Sequence, residues 1–227
     1  MIRHLFPLLI FLTISRLADA AGPPTIDDNG NSVDFSVRLA RAKTSLDYGS
    51  QDIDTTIRWL GLSLREKVSK HVTLGMYGGY AYVTQTDNPV TQGIELNGYH
   101  AGFTLLGFLY TSQRATLYYT LDYAYQKVDH KGATQTVVID WFDSRAEIGG
   151  LVALTGQVRL YGGGGYGYLD GEERDSGTVN STKNFKGAER VGGFIGLDLK
   201  TDPSGHVGIE ARAGMARRVE IYFKRSY

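Results

Sequence analysis

From Val33 onward the chain alternates. Val33, Phe35, Val37 and Leu39 form one face of a period-two pattern whose other face is Asp34, Ser36, Arg38 and Ala40. Successive side chains of an extended strand point to opposite sides, so this pattern predicts a strand with one apolar face. The same reading holds for Val72, Leu74, Met76, Tyr80 and Tyr82, and for Tyr99, Ala101, Phe103 and Leu105. It is clearest at Leu117, Tyr119, Leu121, Tyr123 and Tyr125, which stand against Thr116, Tyr118, Thr120, Asp122 and Ala124. Later segments repeat it at Phe142, Ala146, Ile148, Val152 and Leu154, then at Val191, Ile195, Leu197 and Leu199. Residues 55–66 break the rule: Ile57 and Trp59 fall on one parity, and Leu60, Leu62 and Leu64 on the other. A bulge or a change of register would account for the break.

Punctuation alternates between long and short. Breaks rich in Asp, Asn, Gly and Lys fall at 49–54, 86–94, 129–134 and 170–186, and shorter ones fall near 66–70, 110–113, 155–157 and 201–205. The units between them are longer than ordinary soluble strands of about five or six residues. They suit strands that cross a bilayer on a tilted path of about 9–11 residues, joined by long external loops and tight periplasmic turns. The fold class expected is therefore all-β, a membrane-spanning up-and-down antiparallel β-barrel. Eight units end at Lys200, and His206–Tyr227 reads as one further hairpin around Gly214, Met215 and Ala216, which favours ten strands. If that tail is a single strand, the count is eight, because both termini of such barrels face the periplasm.

The first 20 residues read as a secretory signal peptide. Arg3 and His4 precede an apolar stretch from Leu5 to Ser15, and Ala18-Asp19-Ala20 offers small residues at a cleavage site. The apolar stretch is far short of the ~20 residues of a spanning helix. Residues 21–32 then form a Gly/Pro/Asp/Asn-rich flexible lead, and 33–227 form the barrel. No later stretch is apolar enough for a transmembrane helix, so a membrane form of the chain has to be a closed sheet, which satisfies its backbone internally.

Composition narrows the function. With 24 basic and 24 acidic residues the chain carries no net charge, which gives no support to a nucleic-acid partner. It has no cysteine, so disulfides and thiolate chemistry are excluded. Its 29 glycines and 15 tyrosines are interleaved with Leu, Val and Thr, unlike a low-complexity tract. Tyr80, Tyr82, Tyr99, Tyr123, Tyr125, Trp141, Tyr166 and Tyr168 lie beside the long breaks, and Phe35, Phe108, Tyr110 and Phe223 lie beside the short ones. Aromatic residues at both strand ends are expected of girdles at the membrane interfaces.

At the end of the chain Val219, Ile221, Phe223 and Tyr227 share one parity, interrupted by Arg225. This resembles the C-terminal assembly signal of bacterial outer-membrane proteins. With the signal peptide and the repeated hairpins, the mature chain is similar to the small outer-membrane barrels of the OmpA, OmpX and opacity type. The resemblance implies outer-membrane lipid and the barrel-assembly machinery as partners, and it singles out no activity.

Candidate reaction chemistry is sparse. A serine–histidine hydrolase needs both side chains together with a group that orients the ring. His4 leaves with the signal, His71 and His206 fall at short turns, and His100 belongs to an interior face as a hydrogen-bonded lumen residue. Asp129-His130 lies near Asp140 and Asp143, superficially like the Asp/His pairs of omptin proteases, but neighbours on a strand point to opposite faces. Gly162–Gly165 resembles a phosphate loop only in spelling. Tyr166 and Tyr168 continue a strand where a helix would be needed, so the glycines are expected to relieve crowding in a curved sheet. The DGEERD run at 170–175 lacks EF-hand spacing. No cofactor or metal is expected, and the chain is read as a non-enzyme.

The inward parity is more informative. It carries Arg38, Asp122, Asp143, Arg145, Glu147, Arg159, Arg190, Asp198, Glu210 and Arg212. In a narrow barrel these charges reach one another and form a plug of salt bridges, the favoured reading. The alternative is a small pore lined by the same groups. The expected role is structural or surface contact through external loops, with 170–186 as the contact loop for a ligand the sequence does not identify. A lipid- or peptide-hydrolysing enzyme is the remaining alternative.

Overall fold

The computed structural model describes Gly22, Pro23 and residues 33–227. Residues 1–20, expected as a signal peptide, and most of the expected lead lie outside the described residues. Eleven antiparallel strands form one sheet: β1 (Val33–Asp47), β2 (Asp52–Lys67), β3 (Val72–Gln85), β4 (Glu95–Thr111), β5 (Ala115–Lys131), β6 (Gln135–Ala153), β7 (Val158–Gly177), β8 (Ser181–Gly187), β9 (Val191–Lys200), β10 (Gly205–Gly214) and β11 (Arg217–Ser226). Each pairs with its neighbour in sequence except at β8, where β7 passes directly to β9 (Val158↔Leu199 to Tyr166↔Val191). β11 closes onto β1 from Asp34↔Ser226 to Lys43↔Arg217. The ring without β8 therefore holds ten strands, the favoured count, and the last hairpin turns at Met215 and Ala216.

β8 makes the barrel unequal from end to end. It pairs with the upper part of β7 (Asp170↔Lys186 to Asp175↔Ser181) and touches β1 at Leu46↔Gly187 and Asp47↔Lys186. β9, β10 and β11 are only 10 residues long and stop below this level. Above them the wall is completed by β1 to β7 with β8, an eight-stranded ring standing on a ten-stranded one. Strands of 14 to 20 residues exceed the ~9–11 needed to cross a bilayer, and the surplus forms a raised rim on the side away from the termini. Three of the expected long loops are thus strand in half or more of their length: 52–54 belongs to β2, 129–131 to β5, and 170–186 to the β7–β8 hairpin. The polar composition of those segments marks their exit from the membrane, where the outer face meets water.

The same change of surroundings explains residues 55–66. β2 pairs with β1 and β3 without a register shift, and the bulge in this wall lies in β4 between Phe108 and Tyr110. Ile57 is buried and Trp59 points inward, whereas Leu60 and Leu62 are exposed on the outer face. In the rim the apolar face of each strand looks inward; in the membrane it looks out to lipid. Leu39, Phe103, Leu121, Ile148, Ile195 and Ile221 belong to that outer belt, each about half exposed.

Interleaved Gly and Tyr have a steric meaning. Inward tyrosines lie flat over glycines of the adjacent strand: Tyr77 over Gly102, Tyr118 over Gly149, Tyr161 over Gly196 and Tyr222 over Gly208. A Cβ at Gly208 would sit 2.2 Å from Tyr222 Cζ, and Tyr222 is fully buried. Gly163 answers a different need, since a Cβ there would lie 2.1 Å from the Ile148 carbonyl oxygen. Gly208→Val therefore displaces the Tyr222 ring, at a cost of about 1–3 kcal/mol in unfolding free energy. Urea titration of the refolded protein in lipid vesicles measures this loss, and an unchanged midpoint would contradict it.

Candidate functional site

The interior of the barrel is stratified. Near the termini, β9 and β10 bring Asp198 and His206 together and β7 adds Arg159. The wholly buried Asp198 carboxylate accepts from Tyr222 Oη at 2.8 Å and Arg159 Nε at 2.8 Å. His206 Nδ1 lies 2.9 Å from both Asp198 Oδ2 and Arg159 Nη2, donating to the first or accepting from the second according to tautomer. Lys224 Nζ donates to the Pro23 carbonyl at 2.9 Å, so the described part of the lead sits inside this end. Leu106, Tyr118, Leu151, Tyr161, Phe194 and Tyr222 form an apolar cluster here.

At mid-height the charges alternate across strands. Arg212 pairs with Glu147 of β6 and, through Nε at 2.5 Å, with Glu210. Arg218 continues the chain to Glu210 at 3.1 Å and Glu220 at 3.4 Å. Arg145 faces Asp143 at 3.5 Å, and Asp122 lines the space beside Arg38 and Arg145. Arg145, Arg212 and Arg218 each have a carboxylate partner, which offsets part of their desolvation. Arg38 differs: its guanidinium lies 4.3 Å from the centre of the Tyr77 ring, and no carboxylate pairs with it among the described residues. His100 is 4% exposed, and both its ring nitrogens lack a hydrogen-bond partner, as does Tyr77 Oη. A cavity of about 100 Å³ adjoins these three side chains.

The rim is filled by a second apolar core containing Leu46, Ile57, Val83, Leu96, Val128, Ile139, Trp141 and Phe185. Trp59 Nε1 donates to Gln126 Oε1 at 2.8 Å beneath it. One polar network is set into this core. Glu173 of β7 is fully buried and accepts from Tyr48 Oη at 2.6 Å and Asn88 Nδ2 at 3.0 Å, with Lys183 of β8 at 3.7 Å. Burial, reinforced by the adjacent Glu173 carboxylate, pushes the Tyr48 hydroxyl well above its ordinary value, so it remains a donor. The β7–β8 hairpin, expected as a free contact loop, is tied to the turn at 48–51 and the 86–94 connection.

Arg38, Asp122, Asp143, Arg145, Glu147, Arg159, Asp198, Glu210 and Arg212 all face the lumen, but they divide between the lower cluster and the mid-height chain. Arg190 does not join them. It lies just before β9 on the outer surface, donates to Tyr166 Oη at 3.3 Å and stacks on Tyr168. Its parity was counted from β9, and the linker leaving β8 does not keep that phase. Trp141 is also corrected: it is 2% exposed and packs inward against Phe185, because it precedes the outward Phe142 by one position. Tyr80, Tyr99, Tyr123, Tyr166 and Tyr168 are exposed on the outer face, and Tyr82 lies under Arg58. Val219, Ile221 and Phe223 point outward on β11, and Tyr227, just past its end, is exposed as well.

Asp129 pairs with Lys131 at 3.5 Å, while His130 Nδ1 lies 3.2 Å from the Glu95 carbonyl oxygen. Asp140 pairs outside with Arg174, and Asp143 faces the lumen, so no Asp/His constellation is assembled from them. His206 is buried in β10, not at a turn, and His100 is not hydrogen-bonded. Arg218, Glu220, Tyr222 and Lys224 also face the lumen, beyond the residues expected there. Their signal was present: they occupy the alternate positions to the outward Val219, Ile221 and Phe223. Glu173 had none, since it looks like one more charge in a polar loop. The described residues contain no group of three His, Asp or Glu able to hold a metal.

No family model matches the chain, and no curated protein matches it. Solved structures do. The translocator domain of the autotransporter NalP from Neisseria meningitidis aligns over 89% of this chain and 90% of its own, at 10% identity and a TM-score of 0.51. The outer-membrane protease OmpT from Escherichia coli aligns over 89% and 99%, at 11% identity and a TM-score of 0.49. An outer-membrane channel from Pseudomonas putida F1 covers 92% and 100%, at 10% identity and 0.49. At these identities the likeness concerns the fold: a bacterial outer-membrane β-barrel.

Proposed function

We propose that this protein is a non-enzymatic outer-membrane barrel, closed along its axis, that acts as an envelope element or a surface contact through its raised rim. The observation that carries the reading is the pair of apolar clusters above and below the charged mid-section of the lumen. A conducting pore needs a continuous polar path; the upper cluster fills the rim, and at the lower end the apolar cluster packs beside the Asp198–Arg159 pair and Lys224, which holds the Pro23 carbonyl. The separation of Asp129 from His130 and of Asp140 from Asp143 supports the non-enzymatic part. The β7–β8 hairpin offers Asp170, Glu172 and Arg174 on its outer side as contact chemistry, held rigid by the core behind it. In the same proposal the chain is exported by a signal cleaved after Ala20, and the outward face of β11 is read by the assembly machinery. Reconstituted in planar bilayers, the protein is expected to give a steady baseline. Discrete conductance steps would overturn the sealed reading and favour a small pore.

A further inference from the structure

We propose that the mid-height cavity is a binding site for a small hydrophobic carboxylate, reached through the side of the barrel. The site combines two chemistries. Trp59, Ile57 and Ala42 give it an apolar wall, and Leu169 and Trp141 close it from above. At its inner end stand three groups whose polar atoms are not consumed by the protein. Arg38 has no carboxylate partner among the described residues, and the buried His100 and Tyr77 offer three polar atoms without hydrogen bonds. A lone guanidinium beside unsatisfied donors, in surroundings that exclude water, is a receptor for an anion. Arg212 and Arg218 are engaged by Glu147, Glu210 and Glu220, and Arg145 by Asp143, while Asp122 lines the space beside Arg38 without an ion pair among the described residues. Arg38 is the lining guanidinium without an ion pair, so it is the group that would face the carboxylate, and the apolar wall fits a hydrocarbon or aryl body behind it.

Access follows from the topology. Axial routes meet the two apolar clusters. At the level of the cavity, however, the wall passes from ten strands to eight, and the step is bridged only by the linker 188–190 and the β10–β11 turn. Four hydrogen bonds hold this bridge: Ala188 N to Ser45 O, Gly167 N to Arg190 O, Met215 N to Val191 O, and Thr44 Oγ1 to Met215 O. The cavity is bounded here by Gly193 and Ala213, which are exposed on the outer face, together with Gly167 and Gly192. The cavity thus runs from His100 to the inner side of this seam, whose outer side faces the barrel exterior at Gly193 and Ala213. The wall there has almost no side chains except Met215, whose sulfur covers Gly167. This thin seam is where the proposed acid would enter from the lipid phase.

The two tryptophans of the chain, Trp59 and Trp141, both border the cavity and provide the readout. The whole protein in lipid nanodiscs is titrated with 8-bromooctanoate, and tryptophan quenching is followed against 8-bromooctanol. Saturable quenching by the acid, competed by unlabelled octanoate and absent with the alcohol, is expected. Arg38→Gln is expected to raise the half-saturation concentration at least tenfold, and His100→Phe to raise it severalfold. Unsaturable quenching, equal quenching by alcohol and acid, or an unchanged half-saturation in Arg38→Gln would each overturn the site. If Arg38→Gln loses the heat-modifiable mobility of the folded barrel, Tyr77→Phe and octanoate competition in the unaltered protein decide the matter. A conductance step in planar bilayers would refute the sealed barrel without touching this result.

Discussion

Replacing Asp198 by alanine is expected to lower the unfolding free energy by about 3–5 kcal/mol, the cost of leaving buried cations without their counter-charge. Asp198 is wholly buried, receives hydrogen bonds from Tyr222 and Arg159, and lies beside His206. Its loss orphans a guanidinium that is itself largely enclosed, and it frees the Tyr222 hydroxyl in an apolar layer. Asp198→Asn separates the contributions: the amide oxygen still accepts from Tyr222, while the charge facing Arg159 is gone. The asparagine variant is therefore expected to fall between alanine and the unaltered protein. Reversible urea unfolding in phospholipid vesicles reports all three. A change below about 1 kcal/mol for the alanine variant would mean that water enters this end and solvates Arg159 directly.

An effect of similar size is expected from Trp141→Ala. Trp141 is among the largest fully buried side chains and packs edge-on against Phe185, with ring centroids 6.4 Å apart. Truncation leaves a cavity in the rim core and costs about 3–5 kcal/mol. Trp141→Phe keeps most of the volume, and the indole nitrogen makes no hydrogen bond that would be lost, so it is expected to cost less than about 1.5 kcal/mol. Had Trp141 stood in the lipid interface, alanine would have cost far less. Trypsin gives a local view: cleavage at Arg174 and Lys183 is expected to accelerate in the alanine variant as the β7–β8 hairpin loosens.

The pattern of apolar positions made the barrel and its ten-strand ring legible because lipid imposes one rule on the outer face of every strand. That rule reaches Leu39, Leu121 and Ile221 alike. It stops where the strand leaves the membrane. Above that point water is outside and the apolar residues turn inward, so Ile57 and Trp59 read as an error of phase although β2 runs straight. Trp141 fell on the wrong side for the same reason. The β7–β8 hairpin reads as a charged loop because its outer residues, Glu172 and Arg174, face water as a loop would. Only the pairing of Phe185 with a distant core reveals a strand. The lumen charges follow strand parity closely, and Arg190 escapes it because a linker has no parity. Parity places Arg38 and His100 inside the barrel but does not set them, or Tyr77, apart from the other lumen residues. What distinguishes them is the absence of partners, which depends on strands far apart along the chain.

The step from eight strands to ten gives β1 a double duty. It receives β11 along its lower ten residues and β8 at Leu46 and Asp47, so two rings of different size close on one strand. Each closure brings together chain segments well over a hundred residues apart, and each must overcome the entropy of its own loop. They share a clasp, however. Once β11 has docked along β1, the upper end of β1 is already held across from β7 at the gap that β8 fills, and β8 reaches it with little further loss of freedom. The first strand to leave the N-terminal lead is thus the one on which the final two seams of the molecule depend.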